Sequence, residues 1–148
     1  MKPKIIITYY KDGKTIHFRT PYVNGVKHGV EETFREDSSI LSRTPFVNGK
    51  EHGVEEWYSK DGSIECSTPF VNGVIHGVVK YYREDGKTIH FLTPYVNGVK
   101  HGVEKWYRPD RSILFRIPYL NDMKHGIEKY YIDGNVISHT EYVNGVKK

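Results

Sequence analysis

Short segments of alternating apolar and polar residues recur along the chain, bounded by Asn-Gly or Asp-Gly. Ile16, Phe18, Thr20 and Tyr22 fall on one side of such a segment, as do Ile89, Phe91, Thr93 and Tyr95, and Ile113, Phe115, Ile117 and Tyr119. A period of two marks a strand whose side chains point alternately to two faces. A second kind of segment follows each His-Gly; Val54-Glu55-Glu56-Trp57-Tyr58 is one, rich in β-branched and aromatic residues. Strands joined by short turns pair antiparallel with their neighbours. The pattern therefore predicts an all-β fold, an antiparallel β-meander built from hairpins.

The faces are assigned by the same alternation. The apolar position after His-Gly (Val30, Val54, Val78, Val103, Ile127) and the last aromatic (Tyr58 and its equivalents) are expected on the apolar face with Phe18 and Tyr22. Thr33, Trp57, Tyr81, Trp106 and Tyr130 then fall on the opposite face. Pro21, Pro45, Pro69, Pro94 and Pro118 each sit inside a strand with two neighbours. Proline cannot donate to a ladder, so pairing is expected to break or bulge there.

The segments belong to a repeat, aromatic-x-Asn-Gly-x-x-His-Gly, whose first aromatic falls at Tyr22, Phe46, Phe70, Tyr95, Tyr119 and, truncated, Tyr142. The spacings are 24, 24, 25, 24 and 23 residues. A fixed period of this size means one supersecondary unit stacked on copies of itself. The expected organisation is a single repeat domain: a half unit over 1–21, repeats over 22–45, 46–69, 70–94, 95–118 and 119–141, and a truncated unit over 142–148. The turn residues are Asn24, Gly25, His28 and Gly29; Asn48, Gly49, His52 and Gly53; Asn72, Gly73, His76 and Gly77; Asn97, Gly98, His101 and Gly102; and, in the less regular fifth copy, His125 and Gly126. Asn and Gly tolerate positive φ and so suit tight hairpins.

Five equivalent histidines resemble a metal or acid-base constellation. Equivalent residues lie two strands apart, however, roughly 9 to 10 Å, whereas zinc ligands sit about 2.0 to 2.3 Å from one ion. The histidines are therefore read as turn residues that hydrogen-bond an Asn-Gly loop or pack on an aromatic, and neither metal nor cofactor is expected. No Ser-His-Asp arrangement or glycine-rich phosphate loop interrupts the array, so the chain is read as non-enzymatic. Cys66, the single cysteine, occupies the position of Phe18 and Phe91 and is read as structural. With no second cysteine in the sequence and no long apolar run at the N-terminus, a cytoplasmic location is expected.

Tyr95-Val96-Asn97-Gly98-Val99-Lys100-His101-Gly102 followed by Trp106-Tyr107, with Asp-Gly turns in other copies, resembles a MORN-type repeat. In particular it looks like the bacterial MORN-repeat-variant family often labelled antitoxin-like, whose members also occur in large DNA viruses. The resemblance implies an elongated, twisted antiparallel sheet used for binding, with no catalytic residues to carry over. The chain departs from the commoner pattern in having Thr20, Thr44, Thr68, Thr93 and Ile117 where a strand glycine is usual.

The expected function is thus a repeat scaffold for protein–protein interaction. Trp57, Tyr81, Trp106 and Tyr130 are the expected anchors, rimmed by Glu55, Glu104 and Glu128, because Trp and Tyr combine large contact area with a polar tip. Neutralisation of a toxin or effector is the specific version the resemblance implies. Self-association through sheet edges or the apolar face is a further expectation. The formal charge is +4 and the isoelectric point near 9.0, but 18 acidic residues are interleaved with 22 basic ones. Anionic phospholipid or single-stranded nucleic acid is the alternative partner, met through the basic C-terminal half; along the chain this basic character does not run as a continuous track.

Overall fold

The computed structural model describes residues 3–148; Met1 and Lys2 of the first half unit lie outside the described residues. Every regular element among them is a β-strand, and within each unit the pairing is antiparallel. The chain divides into two compact units, Met1–Val74 and Ile75–Lys148.

The first unit opens with Lys4–Tyr9, which pairs with Ile16–Val23. Two hairpins follow on one plan. A six-residue strand, Gly29–Phe34 or Gly53–Tyr58, pairs along its length with an eight-residue strand, Ile40–Val47 or Ile64–Val71. Each eight-residue strand then turns at Asn-Gly into a two-residue stub, Val26–Lys27 or Lys50–Glu51, which leads into the next six-residue strand. The second unit repeats the plan with Gly77–Tyr82, Ile89–Val96, Gly102–Tyr107, Ile113–Leu120, Gly126–Ile132 and Asn135–Val143, and stubs at Val99–Lys100, Met123–Lys124 and Val146–Lys147.

Local chemistry sets both turns. Asn24, Asn48, Asn97 and Asn144 have φ near +50°, and the glycines after them lie near +80°. Two successive positive φ values define the type I′ hairpin, whose twist matches its strands. At the other turn an aspartate caps the chain: Asp12 Oδ1 accepts hydrogen bonds from the backbone N–H of Lys14 and Thr15, each at 2.9 Å. Asp37, Asp61, Asp85 and Asp110 act in the same way.

Beyond each Asp turn the long strand carries one extra residue. Trp57 pairs with Cys66 but Tyr58 with Ile64, so Glu65 is extra; His90 and Leu114 are its equivalents in the second unit. Such a β-bulge shifts register by one residue and keeps equivalent side chains on one face despite an even repeat length.

Each ladder does break at proline, on one side only. Pro45 is paired with Val30, and its carbonyl accepts the N–H of His52 on the other side at 2.9 Å. Direct pairing there stops between Phe46↔Glu51 in the stub and Arg43↔Glu56. In the second unit, Pro94 and Pro118 accept from His101 and His125 in the same way.

Neither unit has a conventional apolar core. Val79 is the one buried hydrophobic residue among the described residues, and the others buried are Thr20, Ser42, Thr44, Ser67, Thr68, Thr88, Thr93 and Glu104. Order is built instead from copy-to-copy contacts. The N–H of Gly49 donates to Lys27 O at 2.8 Å, Gly73 to Glu51, and Gly98 to Ile75. On the opposite edge Arg83 Nη2 donates to Tyr107 O at 2.6 Å, while Arg35 and Arg108 reach the carbonyls of Tyr58 and Tyr131.

Candidate binding surfaces

The turn histidines connect neighbouring copies. Asn72 N–H lies 3.4 Å from His52 Nδ1, and Asn97 and Asn144 stand in the same relation to His76 and His125. His28 is 3.5 Å from Asn48 N, and His101 Nδ1 is 3.4 Å from Asn121 Oδ1. Each ring thus meets the turn asparagine of the following copy. Among the described residues no three His, Cys, Asp or Glu side chains converge on a site that could hold a metal ion.

The pairing corrects the expected faces. Trp57 stands opposite Ser42 and Cys66, Thr33 opposite Phe18, and Trp106 opposite Phe91 and Phe115. The penultimate position therefore shares a face with the Phe18 column. The Val position pairs with proline and joins the other face, where Val30, Val54, Val78 and Val103 are exposed. Apolar character misled the assignment: valine there suits a pleated strand against proline and does not mark a covered side.

On the first face of the second unit, Tyr81, Phe91, Trp106, Phe115 and Tyr130 follow one another across five strands. Tyr81 and Trp106 sandwich Phe91, with ring centroids 4.4 and 4.3 Å apart. Phe115 and Tyr130 continue at 5.0 Å. Tyr81 keeps 41% of its surface exposed, and in the first unit Trp57 keeps 39%. There the row reads Phe18, Thr33, Ser42, Trp57 and Cys66, aromatic only at its first and fourth members. Phe91 and Phe115 complete the second unit's row, and only the register reveals them as its members.

Beside this row the glutamates form an internal network. Glu104 is 5% exposed and accepts hydrogen bonds from Trp106 Nε1 at 2.8 Å, Thr93 Oγ1 at 2.9 Å and Lys100 Nζ at 3.0 Å. Burial alone would raise its carboxyl pKa, but these donors bring it below the ordinary value. Thr44 donates to Glu55 at 2.9 Å, and Lys124 ion-pairs with Glu128. The stub lysines also lie over aromatics: Lys27 over Phe46 at 4.6 Å and Lys100 over Tyr119 at 4.8 Å. The signal for this network in the sequence is a lysine four residues before the glutamate, at Lys27/Glu31, Lys100/Glu104 and Lys124/Glu128.

Residues 51–72 match the MORN repeat variant family model. The match supports a MORN-repeat protein. It covers the second residue of one stub, one six-residue strand and the whole of the long strand after it, through the Asn of the next Asn-Gly turn. The other MORN-like copies share its register, bulge and turn geometry. The comparison with curated proteins finds no match.

On the second face of the first unit, charges alternate across the strands: Arg19, Glu32, Arg43 and Glu56. Arg19 and Arg43 bracket Glu32 at 3.1 and 3.3 Å. Tyr58 donates its hydroxyl to Glu56, and Arg43 lies over the Tyr58 ring. The last aromatic of a repeat therefore stands on this charged face.

Proposed function

We propose that this chain is a non-enzymatic repeat scaffold that binds another protein through the aromatic face of its second unit. The observation that carries this reading is the row from Tyr81 to Tyr130, continuous in register, whose first residue keeps 41% of its surface exposed. Stacked rings bought into position by a rigid sheet lose little conformational entropy on binding, which favours them as anchors. Tyr81, Trp106 and Tyr130 are the anchors, with Trp57 an isolated counterpart in the first unit. Glu104 and Glu128 set the polar border of the row, Glu104 holding Trp106 through its Nε1, and Glu55 takes the same place beside Trp57 in the first unit. In its specific form the partner is a toxin or other effector neutralised in the cytoplasm; the resemblance of the repeats supports that form.

Thr33 occupies the anchor position in the first repeat, so the frame accommodates threonine there. The full chain and a Trp106→Thr/Tyr130→Thr variant are immobilised and challenged with extract of the source cell, and retained proteins are identified by mass spectrometry. A partner that binds the parent chain and loses affinity roughly tenfold or more for the variant supports the proposal. Partners retained equally by both, with the variant's far-UV spectrum unchanged, refute it.

A further inference from the structure

The second face of the second unit carries a different row on the same frame. Lys80 pairs with Leu92, Leu92 with Lys105, Lys105 with Arg116, Arg116 with Lys129, and Lys129 with His139. Lys80, Lys105 and Lys129 stand where the first unit has Glu32 and Glu56. Alternation of sign has become four fixed positive charges with no carboxylate among them. None of the four makes an ion pair among the described residues. Glu141 is the acid nearest in register, and it stands opposite Ile127, outside the row.

Like charges directly opposite on neighbouring strands destabilise a sheet. Lys105, Arg116 and Lys129 are consecutive in this sense, although the first unit shows that the fold has a neutral solution at the same positions. The row is one side chain wide and spans five strand spacings, roughly 24 Å at about 4.8 Å each. One flank is set by Tyr82, Tyr107 and Tyr131, two residues along the same strands and on the same face. The other is a low wall of Val78, Pro94, Val103, Pro118 and Ile127.

We propose that this row is a binding track for single-stranded nucleic acid, with the four cations on successive phosphates and the flanking tyrosines offering rings to unpaired bases. A linear row of cations fits a linear polyanion, and aromatic side chains beside it add sequence-tolerant stacking. A bilayer would be met by a broad basic patch with long apolar anchors, whereas valine and proline stand close to the sheet. The track lies on the face opposite the aromatic row and is independent of the protein-binding reading.

Fluorescence anisotropy of a labelled oligothymidylate of about 16 nucleotides, the upper end of known site sizes, tests it with the full chain. With the four phosphates engaged, affinity is expected to fall roughly fiftyfold between about 50 and 200 mM salt. Lys105→Glu/Lys129→Glu, which writes the first unit's alternation into the second, is expected to weaken binding more than tenfold. Lys11→Glu/Lys60→Glu, an equal charge change in exposed turns, is expected to leave it within twofold. Absence of binding at low salt, equal loss in both charge variants, or equal affinity for a duplex of the same length overturns the track. Retention on phosphatidylserine vesicles without binding to the oligonucleotide also overturns it, in favour of a membrane surface.

Discussion

Gly53 faces Pro45 so closely that a Cβ on it would stand 2.9 Å from the proline Cγ. The glycine φ is +119°, a backbone conformation L side chains rarely adopt. The same contact recurs between Gly29 and Pro21 at 2.9 Å and between Gly102 and Pro94 at 3.0 Å. Proline removes a donor from the ladder, and the glycine two residues before the strand's Glu lets the chain cross the gap that proline leaves. The Gly of His-Gly and the Pro of the preceding strand are thus one device, and the histidine between stub and strand donates the hydrogen bond that spans it.

Gly53→Ala is expected to lower stability by about 2 kcal/mol, from the positive φ and from the clash with the ring together. Pro45→Ala in the same chain removes the clash and leaves the backbone strain, so the double variant should be more stable than the sum of the single effects. Urea midpoints for the four members of the cycle measure the difference. Additive losses would show that Gly53 and Pro45 do not act together.

The aspartate turns make the fold acid-sensitive in a calculable direction. Asp85 is held at about 2 by the Thr88 hydroxyl, then by the backbone N–H groups of Thr88 and Lys87. Its unfolded value is about 3.9. A carboxyl whose folded pKa is depressed contributes stability that is fully present above about pH 4 and is lost as pH falls through about 2. The Tm is expected to fall across that window. Thr88→Val, which keeps the shape and removes the hydroxyl donor, should lower the Tm at neutral pH and flatten the acid limb. An unchanged acid limb would assign the sensitivity to other groups.

The elements were legible because their determinants are local. Asn-Gly, Asp-Gly and period-two alternation fix turns and strands within a few residues, and the structure places strands and turns where those signals stand. The faces were not legible, because they depend on register. One extra residue at Glu65 or His90 decides which column Trp57 and Tyr81 join. The charged row was hidden for a related reason. Lys105 and Arg116 are 11 residues apart and Arg116 and Lys129 are 13 apart, so a track that is broken along the chain is continuous across the strands.

The third repeat suggests how the buried ion pair is built. Where the first, fourth and fifth copies have lysine and glutamate four apart, it has Ile75 and Val79, and Val79 is buried at 5% exposure. Glu104→Val alone leaves Lys100 without its carboxylate and the Thr93 and Trp106 donors unmet, an expected loss of about 3 kcal/mol. Lys100→Ile/Glu104→Val reproduces the apolar pair and should recover a substantial part of that loss. Thermal or urea unfolding of the single and double variants checks this, and a double variant no more stable than Glu104→Val would remove the idea that the two positions exchange as a unit.

The second repeat carries the reverse case, since its stub position is Glu51 where lysine would face Glu55. Burial first, and then the charge of Glu55, push the Glu51 carboxyl above its ordinary pKa. A carboxyl whose folded pKa is raised binds its proton more tightly when folded, so ionised Glu51 weakens the fold at neutral pH and the effect is relieved as pH falls through its titration. Glu51→Lys replaces the repulsion with the pairing seen at Lys27/Glu31 and sets an ammonium over Phe70, as Lys27 lies over Phe46. The variant is expected to gain about 0.5 to 1 kcal/mol at pH 7, a partly exposed pair being worth no more. The gain should shrink towards pH 4, where Glu51 of the parent chain takes up its proton. Denaturation at the two pH values measures it, and an equal or larger gain at the lower pH would show that charge is not its source.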